Sequence, residues 1–352
     1  MVQGALSLAL VVAIFVYALP RIADFSRVRA EIGEMTWLEL ATVSSLAVWN
    51  IITYWFVMVA ALPGLTLARA MVVNQSSTAV SNTLPGGGAI GIGITYAMYT
   101  SYGFGRSEIA LSVLVSGVWN NFVKLGMPVI ALAILAVEGD ASTAVLTAAL
   151  AGVGALVGAV AAFAAILRSD ELARRVGSAL GRGVSSFTRL VRKPPVTGWG
   201  ESAVRFRSET LDLVKGRWPS LTVASVISHI SLYLVLLVTL RHIGVSDDEV
   251  GWAQVLAAFA FTRLISALPI TPGGLGVVEL ALGGALVAWG GDRSQVVASV
   301  LVWRALTYAL PIPVGAVTYL VWRRRSGANR RPPAREDEPP PPPAREVVRE
   351  TG

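Results

Sequence analysis

Cysteine is absent from the 352 residues and only two histidines occur, so the chain has no disulfide, thiolate metal site, iron–sulfur cluster or cysteine nucleophile. Charge is scarce too: 14% of residues are Asp, Glu, Lys or Arg, against about a quarter in soluble domains. No glycine-rich nucleotide loop is present, which argues against self-driven ATP hydrolysis. His229 lies near Ser225 and Ser228, but no acidic partner or Gly-x-Ser-x-Gly elbow accompanies it, and packing outweighs catalysis as its role. No metal motif and no cofactor motif is found, so neither kind of group is expected.

The surplus is apolar. Aliphatic and aromatic residues make up 54% of the chain and the mean hydropathy is +0.63, which points to lipid as the solvent. A helix needs about 20 residues to cross a bilayer. Stretches suited to this fall at 3–20, 37–61, 108–136, 142–167, 218–243 and 295–322, giving six spanning helices. The first is expected to remain uncleaved, because it lacks a basic leader and a small-x-small cleavage site. Two further apolar regions, 66–103 and 250–290, are interrupted by Pro-Gly-Gly, and each reads as a pair of half-length or tilted segments that cross twice or dip in and return. The expected fold is an all-α polytopic membrane protein, with a membrane domain over 1–325 and a disordered Pro-, Arg- and Glu-rich tail over 326–352.

The net charge of +7 is concentrated between the spans. Arginines and lysines crowd residues 168–217 and recur at Arg323, Arg324 and Arg325, which places that loop and both termini in the cytoplasm of a cell bounded by this plasma or inner membrane. Glu138, Asp140, Asp247, Asp248 and Glu249 then fall outside. Leu172, Val176, Leu180, Val184 and Phe187 recur at helical spacing among the arginines. That is a basic amphipathic helix, lying on an anionic membrane surface or packed on the protein. Anionic lipid headgroups, not nucleic acid, are the natural partner of such charge.

An ungapped shift of 187 residues superposes Pro85-Gly86-Gly87 on Pro272-Gly273-Gly274, Gly103 on Gly290, Arg106-Ser107 on Arg293-Ser294, and Ser112 to Val115 on Ser299 to Val302. These are ten identities in 31 positions, where composition alone gives roughly three. Each unit is a span, a broken region and a second span, over 37–136 and 218–322. A broken region contributes an even number of crossings, so the second unit starts from the opposite side. The pair is expected to be an inverted-topology repeat, the arrangement with which many transporters build a midplane site from interrupted helices.

Ionisable side chains inside apolar spans cost about 2.5–3.5 kcal/mol each on insertion scales and face a cavity or a partner. Arg263, Glu279 and Arg304 are such residues. One reading has both arginines attract a lipid phosphate while Glu279 balances them or meets a headgroup amine; the other is a buried structural ion pair. In the first unit Asn74, Gln75, Ser76, Ser77, Asn82, Asn120 and Asn121 read first as interhelical hydrogen-bond formers, and Lys124 as the stronger headgroup candidate.

The run from Phe261 to Glu279 contains Pro269-x-x-Pro272-Gly273-Gly274-x-Gly276-x-x-Glu279, and Arg304 and Tyr308 follow in the last span. This pattern resembles the lysylphosphatidylglycerol synthase transmembrane-region family, also seen as the flippase-like membrane part of multiple-peptide-resistance proteins, and the resemblance covers about residues 1–325. It implies a multi-pass protein associated with aminoacylated or other lipids, in some members coupled to lipid translocation. In the full-length synthases a soluble aminoacyl-transfer domain follows the membrane region; here the Pro-rich tail follows, and synthase activity is not expected. The first unit departs from the family pattern, having Gly88-Ala89-Ile90-Gly91 where an acidic residue is often found after the glycines.

The candidate lipid-binding set is therefore Arg263, Pro272, Gly273, Gly274, Gly276, Glu279, Arg304 and Tyr308, with Asn82, Pro85, Gly86, Gly87 and Lys124 from the first unit. Lipid binding or translocation through a cavity at the repeat interface is the leading expectation, with headgroups that are anionic or aminoacylated. An accessory subunit that scaffolds a lipid-modifying membrane enzyme is the alternative. A transferase acting on a lipid-linked substrate is the third reading, resting on Asp247, Asp248 and Glu249 as divalent-cation ligands.

Overall fold

The computed structural model describes residues 25–84, 87–139, 143–190, 198–266 and 271–328. The stretch 3–20 and most of the tail expected at 326–352 lie outside them, as do Pro85, Gly86 and Pro269. The described chain is all helical: α1 Phe25–Glu34, α2 Trp37–Ala61, α3 Leu67–Thr83, α4 Gly87–Ser101, α5 Arg106–Glu138, α6 Thr143–Arg168, α7 Asp170–Leu190, α8 Trp199–Ile243, α9 Trp252–Ile265, α10 Val277–Ala288, α11 Arg293–Arg304 and α12 Pro311–Ala328. Among the described residues five stretches are long and apolar enough to cross a membrane: Trp37–Ala61, Arg106–Glu138, Leu150–Arg168, Trp199–Ile243 and Arg293–Ser326. They correspond to five of the six expected spans.

Local sequence explains where these helices begin and end. Thr36 caps α2 by accepting from the Glu39 amide while the Glu39 carboxylate accepts from the Thr36 amide at 2.7 Å, a reciprocal box that satisfies two otherwise unpaired donors. Asp292 caps α11 by accepting from the amides of Ser294 and Gln295. α3 stops at Leu84, which is extended at φ −104° and ψ 139°, the conformation forced on a residue that precedes proline.

The long helices pack antiparallel. Along α2 and α8, Glu39 lies 3.6 Å from His242 at one end. Asn50 donates to the Ser228 carbonyl at 2.9 Å and to Ser231 Oγ at 2.8 Å midway, and Arg217 donates to the Val59 carbonyl at 3.4 Å at the other end. The largest apolar cluster joins Val43 and Ala47 of α2 to Leu236 and Leu240 of α8, Phe259 of α9, Leu282 and Leu286 of α10, and Trp303 of α11. Outward faces stay apolar. Val137 is 89% exposed and Leu150 73% exposed, and no residue of the apolar Leu150–Arg168 window is buried. Such continuous apolar faces suit a lipid surround.

Residues 168–217 contain a helix, Asp170–Leu190, where the spacing of Leu172 to Phe187 predicts one, and a second helical stretch that the sequence reading did not assign. They hold α7 and the first part of α8, whose 45 residues span about 68 Å at 1.5 Å per residue. Hydropathy marks where a helix enters lipid, not where the helix begins, and Glu201, Ala203, Arg205, Glu209, Leu211 and Lys215 are good helix formers. α7 packs on this polar half of α8: Ala173 is 2% exposed, and Arg207 Nη1 reaches Asp170 Oδ1 at 2.6 Å.

Each interrupted region is a pair of short helices, of 17 and 15 residues in α3 and α4 and of 14 and 12 in α9 and α10. α4 lies tight on α3: a Cβ on Gly87 would come within 2.6 Å of the Val80 and Ser81 carbonyls, and one on Gly91 would strike Ser81 Oγ.

Candidate functional site

The second unit breaks at residues 271–276. A single three-residue turn, Pro272–Gly274, precedes α10, with positive φ at Gly273 (56°), Gly274 (72°) and Gly276 (82°). A side chain on Gly273 would enter the Tyr308 ring, so the glycine is required both for backbone angle and for contact. Glu279 follows in the first turn of α10, where a carboxylate is favoured by the helix N-terminus.

Facing this turn, the last long helix widens. Residues Ala305–Ala309 form a π-helical turn in which the Leu310 amide donates to the Ala305 carbonyl at 2.8 Å. Pro311 has no N–H for the Thr307 carbonyl, so the regular ladder cannot continue there. The widened turn points Arg304 and Tyr308 at the broken segment. Arg304 Nε donates to Glu279 Oε1 at 2.7 Å and Nη2 to the Gly273 carbonyl at 3.2 Å. The Arg304 guanidinium also sits 4.2 Å from the centre of the Tyr308 ring. The pair is sequestered, with side chains 12% and 1% exposed.

The same turn reaches the first unit. Tyr308 Oη donates to the Asn82 carbonyl at 2.5 Å, and Asn82 Nδ2 donates to the Tyr308 carbonyl at 3.1 Å. The α3 end preceding the first Pro-Gly-Gly break is thus tied to the wall of the second. Both contacts join residues 226 positions apart.

Beside this junction lies a cavity of about 240 Å³ among α2, α3, α5, α8, α9 and the π turn. Asn50, Tyr54, Asn74, Gln75, Asn120, His229, Arg263 and Thr307 are on its wall, and among the described residues no carboxylate is. Arg263 makes no ion pair or side-chain hydrogen bond among the described residues, and its Nε is buried without a partner. His229 is 5% exposed, turns Nδ1 to the Ser225 carbonyl at 3.0 Å and leaves Nε2 unpartnered. Lys124 stands one helical turn from Asn120 on α5. A larger cavity of about 1020 Å³, lined by Arg69, Tyr102, Trp322, Arg323 and Arg325, lies at the Arg217 end of the bundle.

The family described as "Lysylphosphatidylglycerol synthase TM region" matches residues 4–315. The chain belongs to that family. It is accordingly a multi-pass membrane protein of the lysylphosphatidylglycerol synthase transmembrane (flippase-like) family, in agreement with its five apolar spans. No curated protein sequence matches it.

Within this family member the structure divides the candidate residues. Glu279, Arg304, Tyr308, Gly273 and Asn82 form one interlocked cluster. Gly274 and Gly276 shape the turn leading into α10, Pro272 opens that turn, and Gly87 fits α4 against α3. Arg263 belongs to the polar cavity and does not share a ligand position with Arg304, whose Nε is held by Glu279. Sequence reasoning gave Asn74, Gln75 and Asn120 a mainly structural role and His229 a packing role; all four reach the cavity wall. It missed Asn50, Tyr54 and Thr307. The signal for Thr307 was available, since the 187-residue shift places it over Asn120.

Two of the three carboxylates at residues 247–249 are occupied locally. Asp247 Oδ1 pairs with Arg241 Nη2 at 2.5 Å and accepts from the Trp252 amide at 3.1 Å, while Glu249 accepts from the Ser246 amide at 3.0 Å. Among the described residues no group of three His, Asp or Glu side chains could hold a metal ion.

Proposed function

We propose that this protein binds membrane lipids and carries their headgroups across the bilayer, in the manner of a flippase. The observation that carries this reading is the polar cavity of about 240 Å³ inside an otherwise apolar bundle, placed where the two interrupted regions meet. Polar and charged side chains gathered inside a bundle in lipid solvent are costly, and such groups mark passages for polar ligands.

We read α3–α4 and α9–α10 as re-entrant pairs from opposite faces, and the two units as an inverted repeat. Three observations support this. The short helices, at 17, 15, 14 and 12 residues, fall below the about 20 needed to cross. α2 and α8, which open the two units, run antiparallel, as the contacts from Glu39–His242 to Val59–Arg217 require. The 187-residue shift lays α3 and α4 over α9 and α10 and brings Asn120 onto Thr307 within one cavity. With basic α7 and Arg323, Arg324 and Arg325 on the cytoplasmic side, both termini lie inside.

Dithionite bleaching of a fluorescent lipid in proteoliposomes tests this. The full chain is expected to expose inner-leaflet label faster than protein-free vesicles, and Asn120→Trp, which fills the cavity, is expected to abolish the gain. Equal bleaching in all three preparations contradicts the reading.

A further inference from the structure

The central cavity has a one-sided electrostatic character. Arg263 has Lys124 and Arg304 as its cationic neighbours, and His229 has Arg263 and Lys124. Among the described residues no carboxylate lines the cavity. Glu279, the acid in the adjoining segment, gives Oε1 to Arg304, keeps Oε2 buried without a partner, and is not on the cavity wall. The chain on either side of the two breaks supplies no acid either, since residues 267–270 read Ala-Leu-Pro-Ile and 85–86 read Pro-Gly.

A guanidinium held in low-dielectric surroundings without a counter-charge is strongly disfavoured, and an unpaired buried donor costs its full desolvation. A protein that needed Arg263 only for packing would pair it, as it pairs Arg304 with Glu279, Arg207 with Asp170 and Arg241 with Asp247. No described residue of the chain supplies the missing partner, and an anionic ligand would. The wall also supplies neutral donors suited to oxygen: the amides of Asn74, Gln75 and Asn120, and the Tyr54 hydroxyl. His229 Nε2 can donate to the same ligand in the tautomer that carries its proton there. At about 240 Å³ the space accommodates a phosphoryl group with several waters, each taking about 30 Å³.

We infer that the cavity is built for the phosphate oxyanion of a net-negative lipid headgroup, recognised by Arg263 with His229 and the surrounding amides, and that it disfavours headgroups bearing free ammonium groups. The inference rests on the lipid-binding reading above and gives it a substrate class. It departs from the aminoacylated headgroup that the family resemblance implies. A lysyl ester brings positive charge to a wall on which no described residue is a carboxylate, beside Arg263 and Lys124, where like charges repel.

The test is binding of short-chain phosphatidylglycerol, phosphatidylcholine and lysylphosphatidylglycerol, and of inorganic phosphate, to the purified full chain. Wild type, Arg263→Gln, Arg263→Lys and His229→Gln are compared, with each variant's fold checked by gel filtration and melting. Phosphatidylglycerol is expected to bind at least about tenfold more tightly than the other two lipids, whose ammonium groups meet the repulsion of Arg263 and Lys124. Arg263→Gln should remove that preference, Arg263→Lys should retain part of it, and His229→Gln should weaken it less than Arg263→Gln. Competition by millimolar phosphate would assign the oxyanion site to free anion as well as lipid; lack of competition would assign it to the lipid alone. Equal affinity for all headgroups, tighter binding of the lysyl lipid, or an unchanged preference in a folded Arg263→Gln protein overturns the inference. If the headgroup preference is present but no lipid moves in vesicles, the translocation reading fails and this one stands.

Discussion

Arg304 and Glu279 show how a single charge pair can organise a break in a membrane helix. The arginine binds the carboxylate, the Gly273 carbonyl and the Tyr308 ring together, so one side chain satisfies a charge and a freed backbone oxygen. Removing one partner strands the other in a site where the side chains are 12% and 1% exposed. Glu279→Ala is therefore predicted to destabilise the protein by about 3–5 kcal/mol, read as a lower melting temperature in detergent. Glu279→Ala combined with Arg304→Met should melt higher than Glu279→Ala alone, because no orphan charge remains. A double variant that melts lower still would show that the pair does not act as a unit. Tyr308→Phe keeps the ring beneath Arg304 but deletes the bond to Asn82, and is predicted to cost about 0.5–1.5 kcal/mol. At this scale the sequence was informative about which residues were costly in lipid and silent about who partners whom. Arg263 and Arg304 look alike in an apolar run, and only the π turn after Arg304 gives one of them to Glu279 and leaves the other facing the cavity.

At the level of elements, the interruptions were legible because proline and glycine act locally. Pro-Gly-Gly ends α3 after Leu84, and the positive φ angles of Gly273, Gly274 and Gly276 separate α9 from α10. The fit of the arms was not legible, since composition does not say which glycine meets a neighbour. Gly87 and Gly91 press α4 onto α3, whereas a Cβ added to Gly88 would meet no atom within 4 Å. Gly91→Leu is predicted to wedge the two helices apart and lower both melting temperature and lipid movement, while Gly88→Ala leaves both near wild type. Comparable losses in the two variants would contradict this packing. The length of α8 was hidden for another reason: its polar first half obeys helix propensity, and a hydropathy window reports only the second half.

For the molecule as a whole, the proposed lipid movement needs two faces, and the proposed topology puts the Arg217 end in the cytoplasm and the Glu39–His242 end outside. The absence of cysteine makes this accessible to single-cysteine labelling without background. Ser178→Cys in α7 is predicted to react only after the inner face is opened, and Ser246→Cys beside Asp247 to react in intact cells. Labelling of both from one side would overturn the topology and the inverted repeat with it. Whether the polar cavity between the interrupted segments receives a lipid headgroup can be seen outright by cryo-electron microscopy of the full chain in nanodiscs containing phosphatidylglycerol. Headgroup density is expected within hydrogen-bond distance of the Arg263 guanidinium and His229 Nε2; a closed cavity in which Arg263 pairs with a carboxylate of its own chain would contradict it.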